Sequence, residues 1–327
     1  MVKISVIMST KDTPERYLCE SIESILNQSL SNFEFLIMND GGKNDKKIIE
    51  KYKDDRIKIF NNEKSIGLTK SLNILLKKST GKYIARMDSD DICEKDRLKI
   101  QFDFMESHPN IDVTSVMYHI FGDSRKTMVD IFNSPKEKKA ELFFYNKICH
   151  PGAMIRKSTI DKNNIFYDEK FKYSQDYDMW DRISKIGSIY VIPEICINYR
   201  VHKNQISSAK RDEQNNLCKI IHSRNLELMK LNSDEFIDFI MALCLKNNLN
   251  YDYKTIKKYS RKIIKHNHNY RIYDEKIFSR IMYYRIFIYC IRKKKYLLSI
   301  KYAMNCNLLD FIIKKYKMKI KVLKKWE

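Results

Sequence analysis

The first third of the chain alternates short runs of β-branched and aromatic residues with longer stretches in which apolar residues recur every three or four positions. Runs of the first kind predict buried strands, and stretches of the second kind predict amphipathic helices. The predicted strands are residues 4–8, 33–38, 56–60 and 82–87, and the predicted helices are residues 15–28 and 68–78. This alternation is typical of α/β proteins with a mainly parallel sheet flanked by helices.

The pattern changes further along the chain. A helix from about Glu94, a strand over 111–117 and a helix over 136–145 are predicted next, and strand character fades beyond Tyr199. From about Leu217 the pattern is helical. We therefore expect an α/β domain over residues 1–215 and a helical domain over residues 216–327. No apolar run is long enough to span a bilayer.

Charge distinguishes these two predicted domains. The net charge of the chain is +21, and residues 216–327 contain 26 Lys or Arg against 9 Asp or Glu. A basic segment of this kind is attracted to polyanions, whether nucleic acid or the anionic face of a membrane. The helical domain is therefore predicted to be basic, with its partner undecided by charge alone.

Eight scattered cysteines and a short apolar N-terminus bear on localisation. The cysteines show no C-x-x-C spacing, so neither a zinc site nor a disulfide framework is predicted. The run at residues 1–10 is too short for a signal peptide and fits a buried strand. Both features favour a reducing cytoplasm.

Acidic residues follow the fourth predicted strand directly. Asp88 and Asp90 lie one residue apart, with Ser89 between them and Asp91 next. Such oxygen ligands suit Mg²⁺ or Mn²⁺, which would hold a diphosphate. The chain has only seven glycines and no Gly-rich phosphate loop, so a bound nucleotide would need such a metal. The alternative is an acidic loop in which Asp91 and Glu94 cap the following helix.

Polar residues also end the first two predicted strands, where open α/β sheets bind ligands. Ser9 and Thr10 end the first, and Asp40, followed by two glycines, ends the second. Asp40 is a candidate acceptor for the imide N–H of a base such as uracil, and the alternative is an ordinary Asp-Gly turn.

A second acidic cluster occupies residues 174–180 and leads into an apolar helix. One of its carboxylates can serve as a general base. Asp176 and Asp178 are the candidates, and they lie two residues apart, so on a helix they point in different directions. The alternative is capping of the helix N-terminus.

These segments together resemble the family 2 glycosyltransferases of bacterial surface-polysaccharide synthesis, which have the GT-A fold. The resemblance covers about residues 1–210. It rests on the ordered series 4–10 (ISVIMST), 24–28 (SILNQ), 33–37 (FEFLI) with 40–41 (DG), 67–73 (GLTKSLN), 81–91 (GKYIARMDSDD), 150–151 (HP) and 175–180 (QDYDMW).

The resemblance implies a metal-dependent, inverting transfer of a sugar, of the hexosyl type, from a nucleotide-sugar to a hydroxyl of a glycan acceptor, with UDP as the favoured nucleotide and GDP or dTDP left open. It also implies a set of roles. Ser9, Thr10 and Asp40 would hold the nucleoside, Asp88 the ribose or the metal, Asp90 the metal with Ser89 beside it, Arg86 and Lys70 the donor phosphates or nearby carboxylates, and Asp176 would be the catalytic base.

The comparison with this family also concerns two histidines and two positions where the chain differs from the family's usual sequence. His150 resembles the acceptor-side loop of the family, and a structural role for it is an equal alternative. For His202 a structural or loop role is favoured over a metal or phosphate contact. Lys11-Asp12 replaces the usual Tyr-Asn, which puts stacking on the base in doubt. The loop after Asp40 still offers Asp45 as a helix cap.

Two other functions are compatible with parts of the sequence. A sugar nucleotidyltransferase would share the sheet and the acidic metal ligands but needs a Gly-rich loop after the first strand, which is absent. A nucleic-acid-binding protein would use the basic C-terminal segment, but no recognised nucleic-acid motif accompanies it.

For the glycosyltransferase we predict that residues 254–327 dock on the anionic inner face of the cell membrane, where a lipid-linked acceptor would be presented. This stretch has 22 basic and 4 acidic residues. The alternative is a helical bundle whose aromatic residues form its own core. The aromatic residues predicted as interfacial anchors are Tyr283, Tyr284, Phe287, Tyr289, Tyr296 and Trp326.

Overall fold

We describe the fold from a computed structural model, which covers residues 2–202, 210–244 and 249–323. The chain divides into two compact units. The first comprises Met1–Asp130 and Lys147–Ala209, and the second comprises Ile131–Asn146 and Lys210–Glu327. The predicted anchor Trp326 lies outside the described residues.

A mixed sheet forms the centre of the first unit. The order of its strands is β3-β2-β1-β4-β8-β6-β9-β5, and β7 pairs with β6. The strands are β1 Ile4–Thr10, β2 Phe33–Asp40, β3 Ile57–Asn62, β4 Tyr83–Arg86, β5 Ile92–Cys93, β6 Val113–Gly122, β7 Lys126–Met128, β8 Met154–Arg156 and β9 Ile189–Val201.

Helices flank this sheet and make up the second unit. In the first unit they are α1 Glu15–Leu26, α2 Asp45–Ile49, α3 Leu68–Lys78, α4 Arg97–Ser107, α6 Lys157–Asn163 and α7 Gln175–Ile186, with a 3₁₀ turn at Glu169–Phe171. In the second unit they are α5 Pro135–Leu142, α8 Arg211–Leu228, α9 Ser233–Cys244, α10 Tyr253–Tyr270, α11 Glu275–Arg292, α12 Tyr296–Asn305 and α13 Leu308–Leu323.

The parallel half of the sheet matches the strands predicted from the apolar runs. β1 pairs in parallel with β2 on one side and β4 on the other, and β3 extends the sheet beyond β2. Every residue of β2 is buried, as expected of a strand with layers on both faces. Because these strands run in the same direction, their carboxyl ends meet at one edge of the sheet.

The other half of the sheet is mixed and was not predicted in full. β8 is antiparallel to both β4 and β6, whereas β9 is parallel to β6 and antiparallel to β5. Ile92 pairs with Asn198, which brings the end of β9 beside the residues that follow β4. β9 therefore returns the chain to the predicted acidic cluster.

The helix predicted from Glu94 begins later, at Arg97, with Asp96 at the N-cap position. Asp91 precedes β5, and Glu94 follows it, so neither residue caps α4 and the capping interpretation is wrong. Arg97 is fully buried, and its Nη2 donates hydrogen bonds to the carbonyl oxygens of Arg86 (2.9 Å) and Ala153 (3.1 Å). It thereby fixes the backbone at the end of β4.

The second unit is helical, as predicted, around a core rich in aromatic residues. Tyr289 is buried, while Tyr283, Tyr284 and Phe287 are partly buried and pack against that core. All four were predicted as membrane anchors. Burial excludes that role for Tyr289, and the packing of the other three against the core favours the alternative of an internal aromatic core. Tyr296 alone among the described anchors is well exposed. No described helix is both long and apolar enough to cross a bilayer.

Candidate active site

Three groups of polar residues meet at the edge where β1, β2 and β4 end, all in the first unit. Thr10 is the last residue of β1 and Asp40 the last of β2, and Asp88 comes two residues after β4. Thr10 pairs with Asn39, while Ile7 pairs with Arg86, so the three strand ends are neighbours. The sheet thus forms a single polar edge where ligands of open α/β sheets bind.

Asp88, Asp90 and Asp91 form a compact carboxylate cluster at this edge. Each offers one oxygen, and these oxygens lie within 4.8 Å of one another. Asp91 is buried, whereas about a quarter of the Asp88 and Asp90 side chains is exposed. Burial, followed by repulsion from the neighbouring carboxylates, raises the pKa of Asp90 and raises that of Asp91 well above its usual range. The cluster therefore has an excess of negative charge.

This cluster fits a divalent cation. Oδ2 of Asp91 is buried and has no hydrogen-bond partner among the described residues. A hard cation with oxygen ligands would satisfy that atom and relieve the repulsion that raises the two pKa values. Asp88 and Asp90, the predicted ligands, are both in position for it. Asp91, which follows them directly in the sequence and was not predicted as a ligand, adds a third carboxylate.

Arg200 and His202 support the cluster from the end of β9. The backbone N–H of Arg200 donates to Oδ1 of Asp91 (2.7 Å), and its Nε donates to the carbonyl oxygen of Asp90 (2.7 Å). Nε2 of His202 lies 3.1 Å from Oδ2 of Asp90. The structure thus places His202 beside a predicted metal ligand, which sequence spacing could not indicate because the two residues are 112 positions apart.

Arg86, the last residue of β4, is buried and interacts electrostatically with both acidic clusters. Its guanidinium forms an ion pair with Asp88, but its Nε and Nη1 have no partner among the described residues. Its charge acts to lower the pKa of Asp176. A buried guanidinium with unpaired N–H groups fits an anion such as a phosphate.

A chain of hydroxyl groups joins the end of β1 to the acidic loop. Thr10 Oγ1 donates to Oδ2 of Asp45 (2.6 Å) and lies 2.9 Å from Thr13 Oγ1, which in turn lies 2.8 Å from Ser89 Oγ. Ser21 donates to the backbone oxygen of Asp88 (2.7 Å). Thr13 was missed, because a lone threonine in a loop has no distinguishing pattern.

Asp45 does not cap a helix as predicted. Asn44 holds the N-cap position of α2 without a side-chain cap, and Asp45 is the first helical residue. The carboxylate of Asp45 turns instead toward Thr10, and burial raises its pKa. A Cβ on Gly42 would lie 2.8 Å from this carboxylate and 2.9 Å from the backbone nitrogen of Asp12, so the close approach of the loop after β2 to the loop after β1 needs glycine there.

The carboxylate of Asp40 is hydrogen-bonded to the end of β3 and to the loop between β3 and α3. Its two carboxylate oxygens accept hydrogen bonds from Asn62 Nδ2 (2.8 Å), Ser65 Oγ (2.9 Å) and the backbone N–H groups of Ile66 and Gly67 (both 2.9 Å). Four bonds match the acceptor capacity of a carboxylate. Asp40 therefore shapes the loop at the strand ends, and a bond to a base would have to replace one of these four.

The remaining predicted donor contacts differ in exposure. Ser9 is half-buried on β1. Lys70 is exposed in the first turn of α3, and its Nζ lies 3.6 Å from Glu169 Oε2. The Lys70 side chain thus lies on the surface in a weak ion pair, from which it can move toward another anion.

The second acidic cluster opens α7, with Ser174 at the N-cap position. Asp176 is half-buried, and burial raises the pKa of its carboxyl, although backbone hydrogen bonds in the first turn and the charge of Arg86 act against this shift. Asp178 is fully buried, and its carboxylate accepts a hydrogen bond from Arg182 Nε (2.8 Å). Of the two candidate bases, Asp176 is the more accessible one.

His150 and Tyr167 complete the surroundings of Arg86. His150 Nε2 lies 2.8 Å from Tyr167 Oη, and burial, followed by the charge of Arg86, lowers the pKa of His150 well below its usual range. The imidazole is therefore neutral near pH 7. Asn73 on α3 holds the backbone of Tyr167 through two hydrogen bonds of 2.9 Å. Tyr167 and Asn73 were not singled out from the sequence.

This sheet with its carboxylate cluster at the carboxyl edge defines a GT-A glycosyltransferase fold. A model for glycosyl transferase family 2 matches residues 5–163. An uncharacterised glycosyltransferase of Methanocaldococcus jannaschii is 37% identical over 222 residues, which are 64% of this chain and 75% of the relative. The chain therefore belongs to glycosyl transferase family 2, and the predicted resemblance is confirmed.

A relative with a stated activity and a solved structure agree with this assignment. The Escherichia coli UDP-Glc:alpha-D-GlcNAc-diphosphoundecaprenol beta-1,3-glucosyltransferase WfgD is 30% identical over 218 residues, covering 64% of this chain and 81% of that protein. The crystal structure of S. aureus TarS in complex with UDP-GlcNAc matches 92% of this chain and 89% of that one, with a TM-score of 0.59 and 19% identity. The latter likeness supports the GT-A fold.

Proposed function

We propose that this glycosyltransferase moves a sugar from a UDP-sugar to a hydroxyl of a glycan acceptor, with inversion at the anomeric carbon, in the synthesis of a surface polysaccharide such as capsule or lipopolysaccharide. The observation that carries the proposal is the position of Arg86, buried, paired with Asp88 and electrostatically coupled to Asp176. One cationic group thus links the carboxylate cluster to the candidate base. The family membership disfavours both the nucleotidyltransferase and the nucleic-acid-binding alternatives.

Asp88 and Asp90 would hold Mn²⁺ or Mg²⁺, with the oxygen of Asp91 alongside. Such an ion, when bound, supplies positive charge to the diphosphate of the donor. Arg86 would offer its Nε–H and Nη1–H to the same diphosphate, which accumulates negative charge as it leaves. Ser9, Thr10 and the loop held by Asp40 would form the nucleoside side of the site, and Lys70 can reach in from the surface.

Asp176 would take the proton from the acceptor hydroxyl as that oxygen attacks the anomeric carbon. Its raised pKa makes the carboxylate a stronger base than a free aspartate, while the positive charge of Arg86 favours the ionised form. A single displacement with one base inverts the stereocentre, because no covalent sugar–enzyme intermediate forms. His150, neutral and hydrogen-bonded to Tyr167, would border the acceptor side and can donate or accept a hydrogen bond there.

The choice of a UDP-sugar as donor is supported by two similar proteins. WfgD is a UDP-Glc-dependent enzyme, and TarS was crystallised with UDP-GlcNAc. GDP and dTDP sugars remain the alternatives. The acceptor of WfgD is a lipid-linked diphosphate sugar, which supports a lipid-linked glycan as the acceptor class here.

A panel of UDP-, GDP- and dTDP-sugars, each incubated with the protein, Mn²⁺ or Mg²⁺ and a lipid-linked glycan acceptor, tests the proposal. We expect release of UDP from at least one UDP-sugar, and an acceptor glycoside of inverted anomeric configuration by proton NMR. Release of GDP or dTDP alone would reject the UDP assignment, and a product with retained configuration would reject the mechanism.

A further inference from the structure

Two successive helices near the end of the second unit expose large apolar side chains. Leu297 and Met304 on α12 are 89% and 73% exposed, and Leu309 and Tyr316 on α13 are each 66% exposed. Ile300 on α12 and Ile312 on α13 are more than half exposed as well. Large apolar side chains that are exposed together, rather than singly, mark an interaction site in a globular protein.

The exposed residues are not scattered over the helices. On α12 they follow the spacing i, i+3 and i+7, at 297, 300 and 304, and on α13 the spacing i, i+3, i+4, i+7 and i+11, at 309, 312, 313, 316 and 320. Each set therefore forms one stripe along its helix. Tyr302 and Phe311 on the same helices are buried, so each helix has an inner face against the core in addition to its apolar outer stripe.

The charge of this region indicates which kind of partner covers the exposed stripes of α12 and α13. Residues 292–321 contain ten Lys or Arg and a single acidic residue, Asp310. Lys315 and Lys317 on α13 are exposed beside the stripe. A second copy of this chain would place two such basic surfaces face to face, which is unfavourable. A partner that is both apolar and anionic would bury the stripes and pair with the lysines. An anionic lipid bilayer is such a partner.

We propose that α12 and α13 dock the enzyme on an anionic membrane, with their apolar stripes in the boundary between headgroups and acyl chains and their lysines at the lipid phosphates. The anchors are thus the aliphatic stripes and Tyr316, in place of the aromatic residues of α11, which pack inside the unit. The proposal concerns two helices of the second unit, whereas the sugar-transfer residues all belong to the first. Failure of this proposal would therefore not contradict the proposed reaction, and failure of the reaction would not contradict this proposal.

Co-sedimentation of the full chain with vesicles tests the docking surface. The wild type should bind vesicles of phosphatidylglycerol and phosphatidylcholine more strongly than vesicles of phosphatidylcholine alone, and added salt should weaken the binding. The stripe variant replaces four residues without changing charge. We expect it to lose about tenfold or more of its partitioning into anionic vesicles. Its substitutions are Leu297→Gln, Met304→Gln, Leu309→Gln and Tyr316→Gln.

A matched control variant replaces four exposed apolar residues elsewhere and should bind vesicles like the wild type. A second variant, Lys315→Gln with Lys317→Gln, should weaken binding to anionic vesicles only. Wild-type protein that ignores anionic vesicles at low salt, or a stripe variant that binds them as well as the control, overturns the proposal. So does a lipid-free wild-type dimer that becomes monomeric in the stripe variant by analytical ultracentrifugation. The control substitutions are Ile186→Gln, Ile220→Gln, Leu228→Gln and Tyr270→Gln.

Discussion

Arg86 forms an ion pair with Asp88 through Nη2, while its Nε and Nη1, equally buried, have no partner among the described residues. An unpaired buried N–H costs roughly 1–3 kcal/mol unless water or a ligand satisfies it. The guanidinium is also electrostatically coupled to Asp176 and His150. The position of its charge therefore relates three parts of the site that are far apart in sequence.

From this relationship we predict that Arg86→Lys weakens donor binding at least about tenfold, because lysine keeps the charge but loses the fork that can hold two phosphate oxygens. Isothermal titration with the nucleoside diphosphate measures the effect. Lys99→Met is the control, since Lys99 is exposed on α4 and pairs only with Asp103 on the same helix. Equal losses of donor affinity in the two variants would show that only the overall positive charge of the protein, and not the guanidinium of Arg86, contributes to binding.

Asp176→Asn should bind the donor with nearly wild-type affinity but transfer sugar about 10²–10⁴-fold more slowly, because loss of a base removes a transition-state interaction. Rates under saturating donor and acceptor measure this. In the wild type, the raised pKa of Asp176 predicts that the rate falls as the pH drops through that pKa, since the base becomes protonated.

Asp178→Asn serves as the matched control on the same helix. It leaves Arg182 without its carboxylate partner inside the protein, so we expect roughly 1–3 kcal/mol less stability and a much smaller loss of rate. Denaturant unfolding, followed beside the kinetics, separates the two effects. A folded Asp178→Asn enzyme as inactive as Asp176→Asn would reassign the base.

Chelation should abolish sugar transfer, and Mn²⁺ or Mg²⁺ should restore it. Because a ligand that binds only the folded state stabilises it, either ion should also raise the Tm of the wild type. Asp90→Asn should reduce this rise in Tm, since the cluster loses one carboxylate. A Tm that does not respond to either ion, with full transfer in chelator, would exclude the metal.

The parallel half of the fold could be predicted because β1, β2 and β4 are buried on both faces and read as continuous apolar runs. β9 could not, since Pro193 interrupts it and its register with β6 shifts between Val116 and Tyr118. β5 has only two residues and is defined by its pairing with β9 alone. A strand of that kind has no local pattern.

The same contrast holds within the site. The carboxylates of residues 88–91 lie together in sequence, so local spacing predicted them as a group. The neighbours His202 and Asp90, by contrast, are brought together only by the return of β9 along the sheet. The position of Asp40 at a strand end could also be predicted from the sequence. Its four hydrogen-bond partners, at the end of β3 and in the loop that follows, could not.

Asp40→Asn should destabilise the loop after β3 and weaken donor binding. All four groups that contact the Asp40 carboxylate act as donors, so an amide nitrogen in place of one oxygen would face N–H or O–H groups. We expect roughly 1–3 kcal/mol less stability by denaturant unfolding. Ser65→Ala removes one of the four bonds and should cost about 1 kcal/mol, with donor binding retained. A Ser65→Ala loss as large as that of Asp40→Asn would contradict the shared network.

Glu34 on β2 makes a pH-dependent contribution to stability, away from the candidate site. It is almost fully buried, and burial acts to raise its pKa, but hydrogen bonds from Lys58, Ser5 and Thr80 outweigh this and lower the pKa of Glu34 to about 2. In the unfolded chain the same carboxyl titrates near 4.5. The stabilisation is therefore fully present above about pH 5 and is lost as the pH falls from 4.5 toward 2.

Glu34→Gln should accordingly lower the free energy of unfolding by roughly 2 kcal/mol at pH 7, with the difference from the wild type shrinking as the pH falls through that window. Urea unfolding at several pH values measures both free energies. Glu50→Gln is the control, because Glu50 pairs with Lys46 on the surface of the first unit and should change stability by less than about 0.5 kcal/mol at any of these pH values. A Glu34→Gln deficit that stays constant from pH 7 down to pH 2 would show that packing, rather than the ionised carboxylate, accounts for the loss.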